Sequence, residues 1–285
     1  MMQVEQNRCL TWEEAVQYLL SNPEQQELVK ACYYDAPLVD AANRYWCSEE
    51  WHAINELLPT TVGSALDIGA GNGIASYALA KEGWQVHSLE PDPSNLVGVG
   101  AIYHLAKTAE LPIQVTQEFG ETLPFPDQSF ELVFARQVLH HAQDLQELCK
   151  EINRVLKPGG KFIAVRDHVI SSKEDLPRFL ESHPLHHLYG GENAFLSTEY
   201  INALQQAGLR IDHVLKSFDS KINYAPLTPA NMQAKFGQRL RPLPGSKSLA
   251  YLIFNSITFP ILLRLLSTFD NRPGRLYSFI CSKPL

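Results

Sequence analysis

Short apolar segments alternate with longer segments of helical periodicity over residues 64 to 207. The apolar segments predict strands at 64–68, 85–89, 113–116, 131–135 and 161–166. The periodic segments predict helices at 74–82, 95–109, 145–156 and 198–207. Two more strands are predicted at 210–217 and 275–282. This alternation, together with right-handed crossovers, predicts an α/β fold with a doubly wound, mostly parallel seven-stranded sheet.

Helical segments also lie outside this alternation. Thr11 can cap a helix over 11–20, and a second helical region spans 24–58 with a break expected near Pro37. The last two predicted strands are separated by about sixty residues, too many for a hairpin loop. We therefore divide the chain into an N-terminal helical lid (1–59), a core (60–218 with 275–285) and a helical cap inserted before the last strand (219–274).

The charge is unevenly distributed along the chain. From residue 233 onward there are eight Lys or Arg against the single acid Asp270, so this part carries +7. Because the whole chain carries -7, the remainder carries -14. The acidic total argues against a nucleic-acid partner. The basic end either makes a peripheral contact with an anionic partner or membrane, or is a solvated face.

Several features bear on the cellular location. The 5 cysteines lie far apart, which fits a reducing compartment and no structural zinc site. The first residues do not have the pattern of a signal peptide. The apolar run 249–266 is short for a membrane span, and Pro260 should split it into two helices. We predict a cytoplasmic protein with no obligate protein partner.

The first predicted strand runs into a glycine-rich turn, Asp67-Ile68-Gly69-Ala70-Gly71-Asn72-Gly73. Glycine lets a ligand approach the backbone closely. The spacing places Ile74 where a dinucleotide fingerprint requires glycine or alanine, which disfavours a nicotinamide dinucleotide. Glu90 ends the second strand, where a carboxylate can accept hydrogen bonds from both ribose hydroxyls.

Four blocks stand in order along the chain: ALDIGAGNG, VHSLEPD, GETLPFPDQSFELVFARQVLHHAQDL and RVLKPGGKFIAV. They resemble class I S-adenosylmethionine-dependent methyltransferases, especially the ubiquinone/menaquinone-biosynthesis-like, methyltransferase type 11 branch. The resemblance covers about residues 60–170. It implies a Rossmann-like methyltransferase fold, S-adenosyl-L-methionine as cofactor, and methyl transfer to a small-molecule acceptor.

The resemblance also implies roles near the methionine and ribose parts of the cofactor. Gly69 and Gly71 would pack against the methionine part, and Asp67 would orient that loop or bind the amino group through water. Glu90 would hold the ribose. Relatives have a helical N-terminal lid, from which Arg44 would pair with the methionine carboxylate, unless it lies on the surface of the helix pair.

Further roles concern the adenine and the sulfonium. Gly120 and Glu121 would lie beside the adenine, and Arg136 would lie near the sulfonium or its water. Many relatives carry an acid where Phe119 stands, and that acid bonds the adenine amino group. Here Phe119 would stack on the adenine instead, or Glu118 would substitute for the acid.

The acceptor side is predicted from the insertion at 167–197, which follows the fifth strand and therefore lies on the ligand side of the sheet. Its polar and aromatic residues indicate that His186, His187 or Tyr189 contacts the acceptor, with His168 as a further candidate base. The alternative is that these histidines bond to backbone at a turn. His140 and His141 are expected to shape the cofactor side.

The histidines of this insertion do not indicate a metal site. No Cys or carboxylate pattern completes the His183-x-x-His186-His187 motif, so we predict no metal site.

The apolar cap, with Arg239, Arg241 and Lys247 before its apolar run, suits an apolar, anionic acceptor, and we predict that it lines the acceptor cavity. The acceptor could then be a lipid or lipid-linked molecule at a membrane surface. A chain that binds the cofactor without catalysis is the other alternative.

Overall fold

The computed structural model describes residues 9–240, 253–255 and 257–285. Its strands are β1 Ser64–Ile68, β2 Gln85–Leu89, β3 Gln114–Thr116, β4 Phe130–Arg136, β5 Leu156–Ile170, β6 Phe195–Leu196, β7 Arg210–Leu215 and β8 Arg275–Ser282. The helices of the first half are α1 Trp12–Ser21, α2 Gln26–Ala31, α3 Leu38–Trp46, α4 Glu49–Asn55, α5 Ile74–Lys81 and α6 Val99–Ala109. The remaining described helices are α7 Leu145–Val155, α8 Leu176–Ser182, α9 His186–Tyr189, α10 Ser197–Gln206, α11 Lys221–Tyr224, α12 Pro229–Leu240 and α13 Thr258–Phe269.

The strands form a single sheet in the order β3-β2-β1-β4-β5-β8-β7, and the two-residue β6 pairs with β5. Strands β1 to β5 pair in parallel, whereas β8 runs antiparallel to both β5 and β7. The predicted mostly parallel, doubly wound sheet of seven strands is therefore confirmed. Chain order reverses between β1 and β4, and this switch point is where ligands bind in open α/β sheets.

Helices cover both faces of the sheet, so its central strands are apolar on both sides. On one face Phe134 packs with Trp51 of α4 and Ile102 of α6. On the other face the neighbouring Val133 packs with Ile152 of α7. Successive side chains of a strand point to opposite faces, and this alternation places the two residues in separate cores.

Two predicted elements differ from the structure. The predicted strand 161–166 is part of the longer β5, because Pro158, Gly159 and Gly160 fall at a register shift against β4 instead of ending the strand. The predicted helical region 24–58 is three helices, α2, α3 and α4, and Pro37 immediately precedes α3. Proline suits that position because it has no N–H to offer to a preceding turn.

Helices α11 to α13 lie between β7 and β8. Pro260 occupies the first turn of α13, where a missing N–H interrupts no hydrogen bond, so it does not kink that helix. Arg241, Lys247 and the start of the apolar run lie outside the described residues, and the side chain of Arg239 is not described. Within the ranges given above, no helix is long and apolar enough to cross a membrane.

Candidate functional site

The glycine turn lies at the switch point, between the carboxyl ends of β1 and β4. Gly69, Gly71 and Gly73 have φ values of +60°, +57° and +86°, a region that favours glycine. A Cβ on Gly69 would come within 2.8 Å of a Val138 methyl, so this position also requires glycine for packing. A Cβ on Gly71 would meet nothing within 4 Å. The backbone at Gly71 therefore faces open space.

Glu90 follows β2 and is only 2% exposed. Its Oε2 accepts a hydrogen bond from the N–H of Gly71 at 2.8 Å, and its Oε1 accepts one from the N–H of Asp92 at 3.0 Å. Burial raises the pKa of Glu90 to about 7, although both backbone hydrogen bonds oppose that shift. The carboxylate therefore fixes the glycine turn and titrates near neutral pH.

Asp67, near the end of β1, is a second buried carboxyl group at this edge. It accepts a hydrogen bond from the hydroxyl of Ser76 at 2.5 Å, and that hydroxyl also lies 2.7 Å from the hydroxyl of Ser88. Burial raises the pKa of Asp67 to about 7, and the nearby charge of Glu90 adds to the shift. Two buried carboxyl groups, Asp67 and Glu90, therefore lie beside the glycine turn.

Two adjoining cavities open beside these acids. The first, here called the Glu90 cavity, measures about 290 Å³ and is lined by Glu90, Phe119, Gly120 and Glu121 among others. The second, here called the histidine cavity, measures about 310 Å³ and is lined by Asp67, Gly71, Arg136, His140 and His168 among others. The residues lining both are Trp12, Gly69, Gln137, His141 and Tyr189. The two cavities therefore meet at the first glycine of the turn.

The boundary between the cavities is covered by the N-terminal helix. The rings of Trp12 from α1 and Tyr189 from α9 are stacked, with centroids 6.0 Å apart and planes 8° apart. The N–H of Leu10 donates to the carbonyl of Leu188 at 3.0 Å, which attaches the start of the chain to the same loop. The helices α1 and α9 therefore contact each other where the two cavities meet.

One wall of the histidine cavity carries two arginines whose side chains are only 14% and 11% exposed, Arg136 and Arg166. Arg136 donates from Nε to Glu50 Oε1 at 2.8 Å, and Arg166 lies 3.6 Å from the other oxygen of Glu50. Arg166 also donates to the carbonyls of Ile222 and Ala225. Burial lowers the pKa of Arg166, whereas the Glu50 carboxylate more than offsets burial at Arg136 and raises its pKa. One carboxylate faces two guanidinium groups, so this wall carries a net positive charge.

The same cavity is also lined by a cluster of histidines around Glu192. His140 Nδ1 lies 2.9 Å from Asp167 Oδ1, and His168 Nδ1 lies 2.7 Å from the carbonyl of Gly274. Glu192 accepts a hydrogen bond from the Tyr189 hydroxyl. Burial alone would raise the pKa of Glu192, but His140, 3.6 Å away, and the charge of the other histidines hold it well below its usual range.

The histidines of this cluster differ in protonation. Burial lowers the pKa of His168 to about 3 and that of His141 to about 4, and the charge of His140 adds to both shifts. Burial also disfavours the charged form of His140, but its hydrogen bond to Asp167 and the Glu192 carboxylate 3.6 Å away raise its pKa overall. In this cluster His140 is the histidine that holds a second proton most readily.

The predicted site residues are divided by the structure into two groups. The members of the cofactor set that line one of the two cavities are Asp67, Gly69, Gly71, Glu90, Phe119, Gly120, Glu121 and Arg136. Of the predicted acceptor residues, Tyr189 and His168 line the histidine cavity. Their proposed roles remain predictions, but their placement together agrees with the expectation.

Arg44, His186 and His187 do not line either cavity. Arg44 is exposed and donates both terminal nitrogens to Asp35, at 2.8 and 2.6 Å, so its charge is satisfied on the surface. The single turn of α9 directs Leu185 and Tyr189 inward, whereas His187 Nε2 lies 2.6 Å from the carbonyl of Glu181. The backbone-bonded alternative therefore describes His187.

The cap also differs from expectation. We predicted that its apolar surface would line the acceptor cavity, but no described residue of 219–274 lines either cavity. Its apolar side chains, including Tyr224, Phe259 and Leu263, instead enclose a separate cavity of about 380 Å³. The described helices of the cap pack on one another, and the carbonyls of Ile222 in α11 and of Ala225 after it accept hydrogen bonds from Arg166.

Comparison with known proteins agrees with this geometry. Residues 66–164 match the family model described as a methyltransferase domain. The chain is 32% identical over 115 residues to the uncharacterized methyltransferase YcgJ of Bacillus subtilis, covering 40% of this chain and 44% of that protein. It is 34% identical over 107 residues to a ubiquinone biosynthesis O-methyltransferase of Methylobacterium nodulans, covering 38% of this chain and 42% of that protein.

A solved structure shows the same fold over most of the chain. The geranyl diphosphate C-methyltransferase of Streptomyces coelicolor superposes with a TM-score of 0.58 at 13% identity, covering 93% of this chain and 84% of that one. At that identity the likeness concerns the fold alone. The matches to these two relatives span 44% and 42% of their lengths and concern the central part of this chain. Residues 66–164 are similar to a methyltransferase domain, and the resemblance stated from the sequence is confirmed.

Proposed function

We propose that this protein is an S-adenosylmethionine-dependent methyltransferase that transfers a methyl group to a small-molecule acceptor. The observation that carries the proposal is the contact between Glu90 and the N–H of Gly71 at the switch point of the sheet. This contact places a buried carboxylate beside Gly71, where an added Cβ would meet no other atom within 4 Å. A ribose could therefore approach the backbone closely and donate its hydroxyl hydrogen bonds to the carboxylate.

The residues present fit each part of the cofactor. Glu90 would accept hydrogen bonds from the ribose hydroxyls, and the exposed ring of Phe119 would stack on the adenine beside Gly120. Asp67 would face the amino group, and the net positive wall at Arg136 would face the methionine carboxylate. The geranyl diphosphate C-methyltransferase of Streptomyces coelicolor, which has the same fold, was solved in complex with S-adenosyl-L-homocysteine, and this supports the same cofactor here.

The protein's own contribution would be positioning and exclusion of water. When bound, the cofactor supplies an electrophilic methyl group. Trp12 and Tyr189 would close the boundary between the cavities and exclude water from the reacting atoms. The acceptor would enter the remaining part of the histidine cavity, where Tyr189 and the histidine wall can orient a nucleophile and receive its proton.

A lipid or lipid-linked acceptor is a second candidate, favoured by one face of α13. Ile257, Ile261, Leu265 and Phe269 are spaced four residues apart and are 73%, 53%, 52% and 76% exposed. Such a stripe suits contact with a membrane surface. Co-sedimentation with anionic liposomes would support this candidate if binding fades with added salt and is lost when Ile261 and Leu265 are both replaced by serine. No binding at low salt would rule it out.

The proposal is tested first by cofactor binding and then by turnover. Thermal unfolding should shift upward with S-adenosylmethionine and with S-adenosylhomocysteine but not with NAD. Incubation with isotopically methyl-labelled cofactor and a cell extract should then yield a labelled small molecule, detectable by mass spectrometry. Binding without any labelled product would favour a non-catalytic cofactor-binding protein. Absence of binding would reject both readings.

A further inference from the structure

His140, His168 and Glu192 form a cluster outside the set of residues that we propose to bind the cofactor. One side-chain atom from each lies within 4.8 Å of those of the other two, and all three residues are buried. His140 follows β4, His168 lies in β5, and Glu192 follows α9. All three line the histidine cavity, so the cluster faces space that a ligand can reach.

The outer contacts of the two histidines fix how their rings are protonated. His140 Nδ1 faces Asp167 Oδ1 at 2.9 Å, and His168 Nδ1 faces the carbonyl of Gly274 at 2.7 Å. Both partners accept hydrogen bonds, so each Nδ1 carries the proton and donates. The Nε2 of each ring is then the nitrogen available to a ligand. Histidines that ligate metals are held in this way by an outer carboxylate or carbonyl.

Asp167 and Glu192 are both buried, and within the described part of the chain they form their ion pairs with histidines and not with lysine or arginine. Glu192 Oε2 and His183 Nδ1 are buried and have no hydrogen-bond partner. Buried anions require a nearby cation, because their desolvation is otherwise uncompensated.

We propose that His140, His168 and Glu192 bind a divalent transition-metal ion. Two imidazole nitrogens and one carboxylate suit zinc, manganese, iron or cobalt, whereas magnesium and calcium prefer sites made of oxygen. Bonds to such an ion are about 2.0–2.2 Å long, so each of the three ligand atoms has to move inward by less than about 1 Å. His183 is close enough to become a fourth ligand, since its Nδ1 lies 3.8 Å from Glu192 Oε1.

The consequence for the reaction rests on the proposed function, but the metal site does not. The ion would lie in the cavity that Gly69 and Gly71 also line. A coordination position left open toward that cavity would bind an oxygen of the acceptor. Bound oxygen loses its proton more readily, so the site would favour a hydroxyl acceptor.

The experiment is a titration of chelator-treated protein with Co²⁺, followed by visible absorption, and then displacement by Zn²⁺. We expect one Co²⁺ per chain. His168→Ala and Glu192→Gln should each weaken binding at least tenfold, and Asp167→Asn should weaken it about 10–100-fold because it positions His140. The matched control is His104→Ala, which removes an exposed histidine from α6 and should change nothing.

Circular dichroism identifies the variants that fold, and only those enter the comparison. No stoichiometric Co²⁺ or Zn²⁺ binding by the unmodified protein overturns the proposal whatever the variants do. Unchanged affinity in folded His168→Ala and Glu192→Gln also overturns it. Because the titration contains no cofactor, its result is separate from the thermal-shift test of methyl transfer.

Discussion

Cofactor affinity should rise with pH through neutrality because of Glu90. Burial raises the pKa of this carboxyl group to about 7 in the cofactor-free protein. Ribose hydroxyls donate hydrogen bonds, so the ionised carboxylate is the form that binds them. At pH 6 about one molecule in ten has Glu90 ionised, and the apparent affinity should be about tenfold below its high-pH limit. Above pH 8 the affinity should level off.

Replacing Glu90 by glutamine separates this effect from other titrations. The variant keeps one carbonyl oxygen but loses the charge, so at pH 8 we expect a loss of about 1.5–3 kcal/mol, or about 10–150-fold in Kd. A residual pH dependence should remain from Asp67. Because the charge of Glu90 contributes to the raised pKa of Asp67, that residual step should move to lower pH in the variant.

Folding stability should change with pH in the opposite direction. The pKa of Glu90 is raised from 4.5 to about 7 on folding, so between these values the folded state holds a proton that the unfolded state has released. The free energy of unfolding without cofactor therefore falls as pH rises across this window. Glu90→Gln should lose this contribution and depend less on pH than the unmodified protein.

Calorimetry with S-adenosylhomocysteine at pH 6, 7 and 8, together with thermal unfolding at the same pH values, measures both effects. Glu147→Gln is the matched control, since this exposed glutamate of α7 lies outside both cavities. The reasoning is refuted if the unmodified protein binds equally well at pH 6 and pH 8. It is also refuted if Glu90→Gln keeps the full pH dependence.

Three further predictions concern the site. Gly71→Ala and Gly83→Ala both place a Cβ in open space at positive φ, so each should cost about 1–2 kcal/mol of stability, yet only the first should weaken cofactor binding in calorimetry; equal binding losses would contradict this. Glu50→Gln leaves two buried arginines without an anion and should destabilise the fold by about 3–5 kcal/mol in urea unfolding; a loss below 1 kcal/mol would show that solvent reaches them. Phe119→Ala should weaken binding of the cofactor about tenfold through lost stacking, and Phe119→Trp should restore it; no change would remove Phe119 from the adenine site.

The strands of the core could be predicted because local patterns determine them. The bounds of β1, β2 and β8 agree with the predicted segments to the residue. Each of these strands is a short, largely apolar segment with polar or turn-forming residues at its ends. The length of β5 could not be predicted. Its start depends on pairing Leu156 with Phe130 of β4 across a register shift, which is a contact between distant residues.

On the cofactor side of the site, too, residues set by local sequence patterns could be predicted, whereas those set by contacts between distant residues could not. Gly69, Gly71 and Glu90 were predicted from the order of strand, turn and strand, which is local information. Arg44 and Arg136 could not be told apart in this way. The sequence does not show that Asp35 satisfies Arg44 on the surface, or that Glu50, 86 residues before Arg136, holds that arginine in the cavity wall.

The histidines show that the order of strands in the sheet is a better guide to the site than distance along the sequence. His186 and His187 are prominent because they lie close to His183 in the sequence, but a single helical turn sends neighbouring side chains in different directions. His140 and His168 are far apart in sequence, yet His140 follows β4 and His168 lies in β5, and these two strands are neighbours in the sheet. Parallel neighbours end at the same edge, so residues at their carboxyl ends meet whatever their separation along the chain. Grouping polar residues by the order of strands in a doubly wound sheet would therefore have found the cluster around Glu192, where grouping them by sequence distance did not.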